Sequence, residues 1–284
     1  MKNSAPQTIY TPESQLLHPA RLLQKMYRDL KNSRELAWRL FVRNLKARYR
    51  QTFLGYLWAF LPPILTTLLW VFLNSQKILS VGDTGMPYPV YVMTGILLWQ
   101  VFVDALNSPL RLVLSSRHML VKVNFPREAL ILAGLGEVLF NFLIRIVILI
   151  ALFLWFQIQL PFTIVFVPFG IMMLITAGIT LGLLLVPFGL LYGDIQQGLT
   201  LITSLWFFVT PIVYPTPTSL PGNLIAKLNP IAPLLVTTRE WMVTGITSQF
   251  TVFMAVSCLF FIFIALAWLL YHIAMPHITS RIGA

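Results

Sequence analysis

Residues 129–156 read ALILAGLGEVLFNFLIRIVILIALFLWF, an apolar run that nonetheless holds Glu137, Asn141 and Arg145. A helix needs about 20 mostly apolar residues to cross the hydrocarbon layer, and this run exceeds that length. An ionisable group at the bilayer centre costs roughly 3 kcal/mol on insertion scales, so polar residues inside such a run need a reason. The three recur every four residues and therefore share one helical stripe, which must face protein or water. Asn141 is placed to bridge two charges about 12 Å apart by the 1.5 Å rise. Asp104, in the preceding apolar run, is the nearest free acid by sequence count, and an Asp104–Arg145 pair would neutralise both. A stripe of this kind either locks spans together or serves transport.

The surrounding chain has the same character. Of its 284 residues 57% are hydrophobic and only 10% charged, and the mean hydropathy is +0.79. Too few polar residues remain to cover a soluble globule, so the composition specifies a polytopic membrane protein. Six runs are long enough to span: 53–73, 90–110, 129–156, 161–191, 195–214 and 250–275. Lys and Arg number 11 before the first run, four between the second and third and one after the last, against only Lys77, Lys227 and Arg239 in the other loops. This asymmetry predicts that both termini lie on the cytoplasmic side. No early apolar core with a small-residue cleavage site precedes the first run, so that run is expected to stay as an anchor.

The net charge of +11 sits in the N-terminal region and one loop, the pattern of membrane flanks and not of a nucleic-acid surface. Cys258 has no partner for an intrachain disulfide. No G-x-x-x-x-G-K-[ST] stretch is present, so the chain lacks that device for holding a nucleotide. His18, His118, His272 and His277 are scattered without a metal-ligand spacing, and no Ser, His and Asp set can be assembled; no catalytic residue and no metal site is expected.

Residues 33–50, SRELAWRLFVRNLKARYR, place Trp38, Phe41, Val42, Leu45 and Tyr49 on one helical face and Arg39, Arg43, Lys46 and Arg50 opposite. This is the pattern of a helix lying in the membrane surface, with a solvated tail helix as the alternative. Residues 216–250 hold apolar pieces too short to cross, broken by Pro221, Gly222, Pro230 and Pro233. They suit re-entrant or interfacial helices capping a pathway, or an ordinary surface loop. Between the second and third runs, Arg111, Arg117, Lys122 and Arg127 mark a basic segment. There Ser115 and Ser116 are placed to cap a short helix through His118, Met119, Leu120 and Lys122, and Pro126 opens the next span. Aromatic residues cluster at run ends as interfacial belts. Trp206, Phe207, Phe208 and Tyr214 beside Pro211 also offer flat faces for sugar rings or lipid tails.

Four stretches in this order resemble the membrane subunit of type-2 ABC exporters, particularly those moving O-antigen, capsular polysaccharide or teichoic acid. They are RYRQTFLGYLWAFLPPIL (48–65), VNFPREAL (123–130), YGDIQQ (192–197) leading to TPIVYP (210–215), and NPIAPLLVTTREW (229–241). The resemblance covers about residues 33–275. It implies an all-α polytopic fold of six transmembrane helices, an N-terminal amphipathic interface helix, a cytoplasmic coupling helix and short re-entrant external helices before the last span. The expected organisation is a cytoplasmic tail at 1–32, the interface helix at 33–50, a membrane domain at 51–276 and a cytoplasmic tail at 277–284.

By the same resemblance, residues 115–125 would be the coupling helix received by a separate ATP-binding subunit, with Ser116, Arg117, His118, Met119, Leu120, Lys122 and Phe125 in contact. Tyr56, Trp58, Trp206, Phe207 and Tyr214 would line the substrate channel. Two copies would form the pore in the cytoplasmic membrane of a bacterium, amid membrane lipids and with a lipid-linked glycan as cargo. The partner would bind ATP and Mg, leaving no cofactor and no enzymatic role to this chain. Gly193 departs from the family, where Arg often precedes the acid equivalent to Asp194. Export of a drug or small lipid and a membrane enzyme acting on polyprenyl lipids are the rival readings.

Overall fold

The computed structural model describes residues 19–50, 55–78, 81–122, 125–217 and 222–282, and among them no strand occurs. The expected loose start at 1–18, the motif residues 51–54, Val123 and Asn124, and residues 218–221 lie outside the described residues. In chain order come α1 (Pro19–Tyr49), a 3-10 turn (Gly55–Ala59), α2 (Leu61–Ser75), α3 (Tyr88–Ser115), α4 (Arg117–Lys122) and α5 (Glu128–Trp155). A second 3-10 turn (Phe162–Phe166) then leads to α6 (Val167–Leu191), α7 (Ile195–Val209), α8 (Gly222–Leu228), α9 (Ile231–Val243) and α10 (Phe250–Ile282).

Among the described residues five stretches are long and apolar enough to cross a membrane: Leu57–Ser75, Tyr88–Ser115, Glu128–Trp155, Phe162–Leu191 and Phe250–Ile278. The run expected as a sixth, 195–214, forms α7 of only 15 residues. At 1.5 Å per residue that is about 22 Å, less than the about 30 Å hydrocarbon thickness. Pro211 sets the limit, because a proline pushes its predecessor out of the helical region, and Thr210 is extended at φ −93°, ψ 136°.

Burial divides the spans into two classes. In α3 and α6 the apolar windows are 78% and 67% buried, whereas those of α2, α5 and α10 are 11%, 17% and 22% buried. The first two are therefore the core, wrapped by the others. Helices in lipid gain no hydrophobic advantage from meeting, so they pack where small residues admit close backbone approach. Gly178 and Gly182, one turn apart on α6, supply that surface. A Cβ at Gly178 would lie 2.6 Å from Ala105 Cβ and 2.7 Å from the Phe102 carbonyl, and one at Gly182 would collide with the Leu106 carbonyl.

The N-terminal helix differs from the expected one in extent and in face. It is a single helix of 31 residues from Pro19, not a tail to 32 followed by a helix from 33. Ser33 lies inside it, its hydroxyl donating to the Asp29 carbonyl at 2.6 Å. The stripe buried within the protein is Met26, Ser33, Ala37 and Leu40, while Trp38, expected on the lipid-facing aromatic side, is 65% exposed. That stripe lies against α5. Phe41 meets Phe140 edge-on at 6.2 Å, Asn44 bonds Glu137 and Arg48 bonds Asn141, so the two helices ascend side by side in the same direction. Here the propensity for a surface helix is overridden by packing. At the other terminus α10 continues to Ile282, so the expected tail from 277 is largely its last turns.

Replacing Gly178 by Leu should force α3 and α6 apart and lower stability by about 1–3 kcal/mol. Thermal unfolding of the detergent-purified chain measures this; an unchanged midpoint would show that the close approach is not used.

Candidate functional site: a charged network between α1, α3 and α5

Each helix contributes its charged residues from the side facing the other two. Glu137 on α5 has a side chain only 4% exposed, a position where an ionised carboxylate persists only with partners. It has three. Arg111 of α3 donates at 2.7 Å, Arg48 of α1 at 3.2 Å and the Asn44 amide at 2.9 Å. One turn further, Asn141 accepts from Arg48 at 3.2 Å and donates to Asp104 at 3.2 Å. Arg145 then donates to the same Asp104 oxygen at 2.7 Å. The order is Arg111, Glu137, Arg48, Asn141, Asp104, Arg145. Asp104 and Arg145, adjacent in the argument from sequence, are thus adjacent in space, and Asn141 does connect two charge centres. The partners of Glu137 came from Arg48 and Arg111, whose loop and tail positions concealed that they point into the bundle.

A second polar construction holds the end of α7. Beyond it four successive carbonyls, of Pro211, Ile212, Val213 and Tyr214, leave the helical pattern and need donors. Arg239 of α9 donates to Pro211 and Ile212, each at 2.9 Å, Tyr88 of α3 donates to Val213 at 3.1 Å, and Tyr91 donates to Tyr214 at 2.9 Å. The Arg239 guanidinium lies 3.8 Å over the Tyr91 ring and is 3% exposed. Burial pulls its pKa down from the usual arginine value, while Tyr91 and Glu240 pull it back up. Gly95 is required here: a Cβ would collide with the Ile212 carbonyl and lie 3.1 Å from Arg239. Charge counting placed Arg239 in an outer loop; the buried and mostly apolar α9 around it was the available signal.

The expected channel aromatics divide accordingly. Trp206 donates its indole N–H to Asn229 at 3.1 Å and packs edge-on to Phe102 at 5.4 Å. Phe207 meets Trp99 at 6.3 Å, and the Tyr214 hydroxyl donates to the Phe208 carbonyl at 2.7 Å. All three make contacts within the chain and are partly buried. Trp58 is 53% exposed and borders a cavity beside the charged network. The side chain of Tyr56 lies outside the described residues.

In the basic turn, α4 is six residues long. The Ser115 hydroxyl turns back to the Leu112 carbonyl at 3.1 Å instead of capping α4, and the buried Ser116 starts it through its carbonyl, which accepts from Met119 and Leu120, each at 2.9 Å. Leu120 is buried, Met119 and Phe125 are partly buried, and Arg117, His118 and Lys122 are exposed. The structure therefore offers solvent a cationic face, with the apolar residues turned towards the protein. Asp194 is exposed at the start of α7.

Histidines that looked scattered in sequence are not all isolated in space. His272 on α10 bonds Glu128 at 2.7 Å, and with Asp29 of α1 these side chains present ligand atoms within 4.8 Å of one another. Separation across residues 29, 128 and 272 hid the group from any spacing rule.

Together these features define an integral membrane protein whose described polar chemistry binds helices to one another. Residues 35–243 match the ABC-2 type transporter family. The chain belongs to that family. It is 29% identical to the O-antigen export system permease protein RfbA of Myxococcus xanthus over 74% of this chain and 81% of that protein. A protein of the same name from Klebsiella pneumoniae is 24% identical over 72% of this chain and 78% of its own. The polysialic acid transport protein KpsM of Escherichia coli is 25% identical over 74% and 82%.

Removing Arg145 as R145Q should cost about 3 kcal/mol by leaving Asp104 without its ion partner, and adding D104N should recover most of that loss. Unfolding midpoints of the two single variants and the double variant measure the coupling; additive losses would deny it.

Proposed function

We propose that this chain is the pore-forming membrane subunit of an exporter of lipid-linked polysaccharide, acting as a homodimer in the cytoplasmic membrane with both termini inside. A separate ATPase subunit binds ATP and Mg and supplies the work. The observation behind this reading is the family match across 35–243, with relatives named for export of O-antigen and transport of polysialic acid. Five long apolar helices among the described residues, with the shorter apolar α7 as the sixth crossing that brings both termini to one side, and no phosphate-cradling motif suit a passage driven from outside. Cargo is the finer part of the proposal, since one membrane fold serves unlike substrates.

Work enters through α4. Its exposed Arg117, His118 and Lys122 form the contact face, and α4 rests on α3 and α10, so a push there reaches both a core span and the terminal span. Met119, Leu120 and Phe125 support the helix from beneath. Trp58, at the rim of the charged network, lines the route on the cytoplasmic side.

Two measurements test this reading. Arg117→Glu with Lys122→Glu should abolish co-purification with the ATPase subunit while leaving the melting temperature of the isolated chain unchanged; undiminished association would remove α4 from the interface. Deleting the gene should leave surface polysaccharide absent and lipid-linked glycan accumulated inside the cell, whereas normal surface glycan would refute the assigned cargo.

A further inference from the structure

Three guanidiniums converge on one hollow. A cavity of about 280 Å³ lies between α1, the first 3-10 turn, α3 and α5, lined by Arg48, Arg111, Arg145, Asp104, Asn141 and Trp58. At about 30 Å³ per water it has room for roughly nine, enough for a diphosphate and some hydration. The two carboxylates within reach, Asp104 and Glu137, leave one positive charge in excess over three arginines.

Those carboxylates are already served, and the arginines are not exhausted. Glu137 accepts from Asn44, Arg48 and Arg111, and Asp104 from Asn141 and Arg145. A guanidinium has five N–H donors. Arg48 uses its two terminal nitrogens here, while Arg111 and Arg145 each use one. Planar forks approaching from separate helices suit an anion with several oxygens pointing in different directions, which a phosphate has and a single carboxylate lacks.

The surface leading away from the hollow gives the ligand its second half. Leu57, Leu61, Leu65, Leu68 and Phe72 recur at three- and four-residue steps from the 3-10 turn along α2, each between 39% and 59% exposed. The stripe begins beside Trp58. A cationic hollow opening onto a long apolar stripe matches a molecule with a phosphate head and a hydrocarbon tail.

The geometry points to a binding site for the phosphate or diphosphate headgroup of the cargo's carrier lipid, held by Arg48, Arg111 and Arg145, with the tail along α2. This rests on the reading of the chain as an exporter of lipid-linked glycan. Glu137 and Asp104 are positioning residues: they aim the guanidiniums and dilute their charge, so that the head is held without being trapped.

The full-length chain in nanodiscs of neutral lipid is titrated with polyprenyl diphosphate, with phosphatidylglycerol and with inorganic diphosphate, and binding is read by native mass spectrometry. R111Q and R48Q should each weaken polyprenyl diphosphate binding about tenfold. R111K, which keeps the charge but loses the fork, should fall between R111Q and the natural chain. E137Q should bind more tightly while melting earlier, a sign opposite to that of a merely structural cluster, in which every disturbance weakens binding. Unchanged affinity in both arginine variants overturns the site. Equal competition by phosphatidylglycerol overturns the carrier assignment, and binding of inorganic diphosphate as tight as that of the lipid overturns the role of the α2 stripe. The functional reading is tested apart, by glycan export from inverted vesicles with the ATPase present: export that proceeds at the natural rate in R111Q dismisses the site alone, and export absent even with the natural chain dismisses the reading.

Discussion

A carboxylate placed well inside a membrane helix, with almost no access to solvent, determines much of how this chain is assembled. Glu137 has no water to solvate it there and must find its hydrogen-bond donors in the protein. The solution recruits Arg48 from the N-terminal helix and Arg111 from a core span. One charge thereby fixes three helices relative to each other. It also explains why α1, with the composition of a surface helix, runs along α5 instead.

The same economy governs backbone polarity. Where α7 gives way at Pro211, four carbonyls would face an apolar interior without donors, and Arg239, Tyr88 and Tyr91 reach them from two other helices. Close approach at Gly95, Gly178 and Gly182 permits both this arrangement and the contact between α3 and α6. Polar groups and small residues, more than hydrophobic burial, therefore distinguish one helix arrangement from another, as expected where lipid is as apolar as the protein.

Much of this was legible in sequence. Apolar length located α2, α3, α5, α6 and α10, because a membrane imposes a single strong requirement on spanning segments. The four-residue spacing of Glu137, Asn141 and Arg145 announced a polar stripe. Less accessible were the features that depend on three-dimensional meeting. Arg48 and Arg111 counted as topology markers, and nothing local says that they turn inward. The aromatic face of α1 stands out in sequence as a membrane-facing one, whereas the small Ser33 and Ala37 that pack within the protein carry no comparable hydrophobic signal. The Gly-x-x-x-Gly at 178–182 is a contact surface that the sequence does hold, masked by the apolar length around it. The contacts that Trp206, Phe207 and Tyr214 make with Phe102, Trp99 and the Phe208 carbonyl likewise depend on three-dimensional meeting and have no local signal.

The unbroken α1 has one more implication. It meets α5 at two levels, through Asp29 close to Glu128 and His272 at the foot, and through Asn44 and Arg48 at the charged stripe higher up. Nineteen helical positions separate Asp29 from Arg48, about 28 Å of rod at 1.5 Å per residue. A rod bonded to its neighbour at one level and lying close to it at another acts as a splint that resists twisting and sliding between the two. Together α1 and α5 make a single plank.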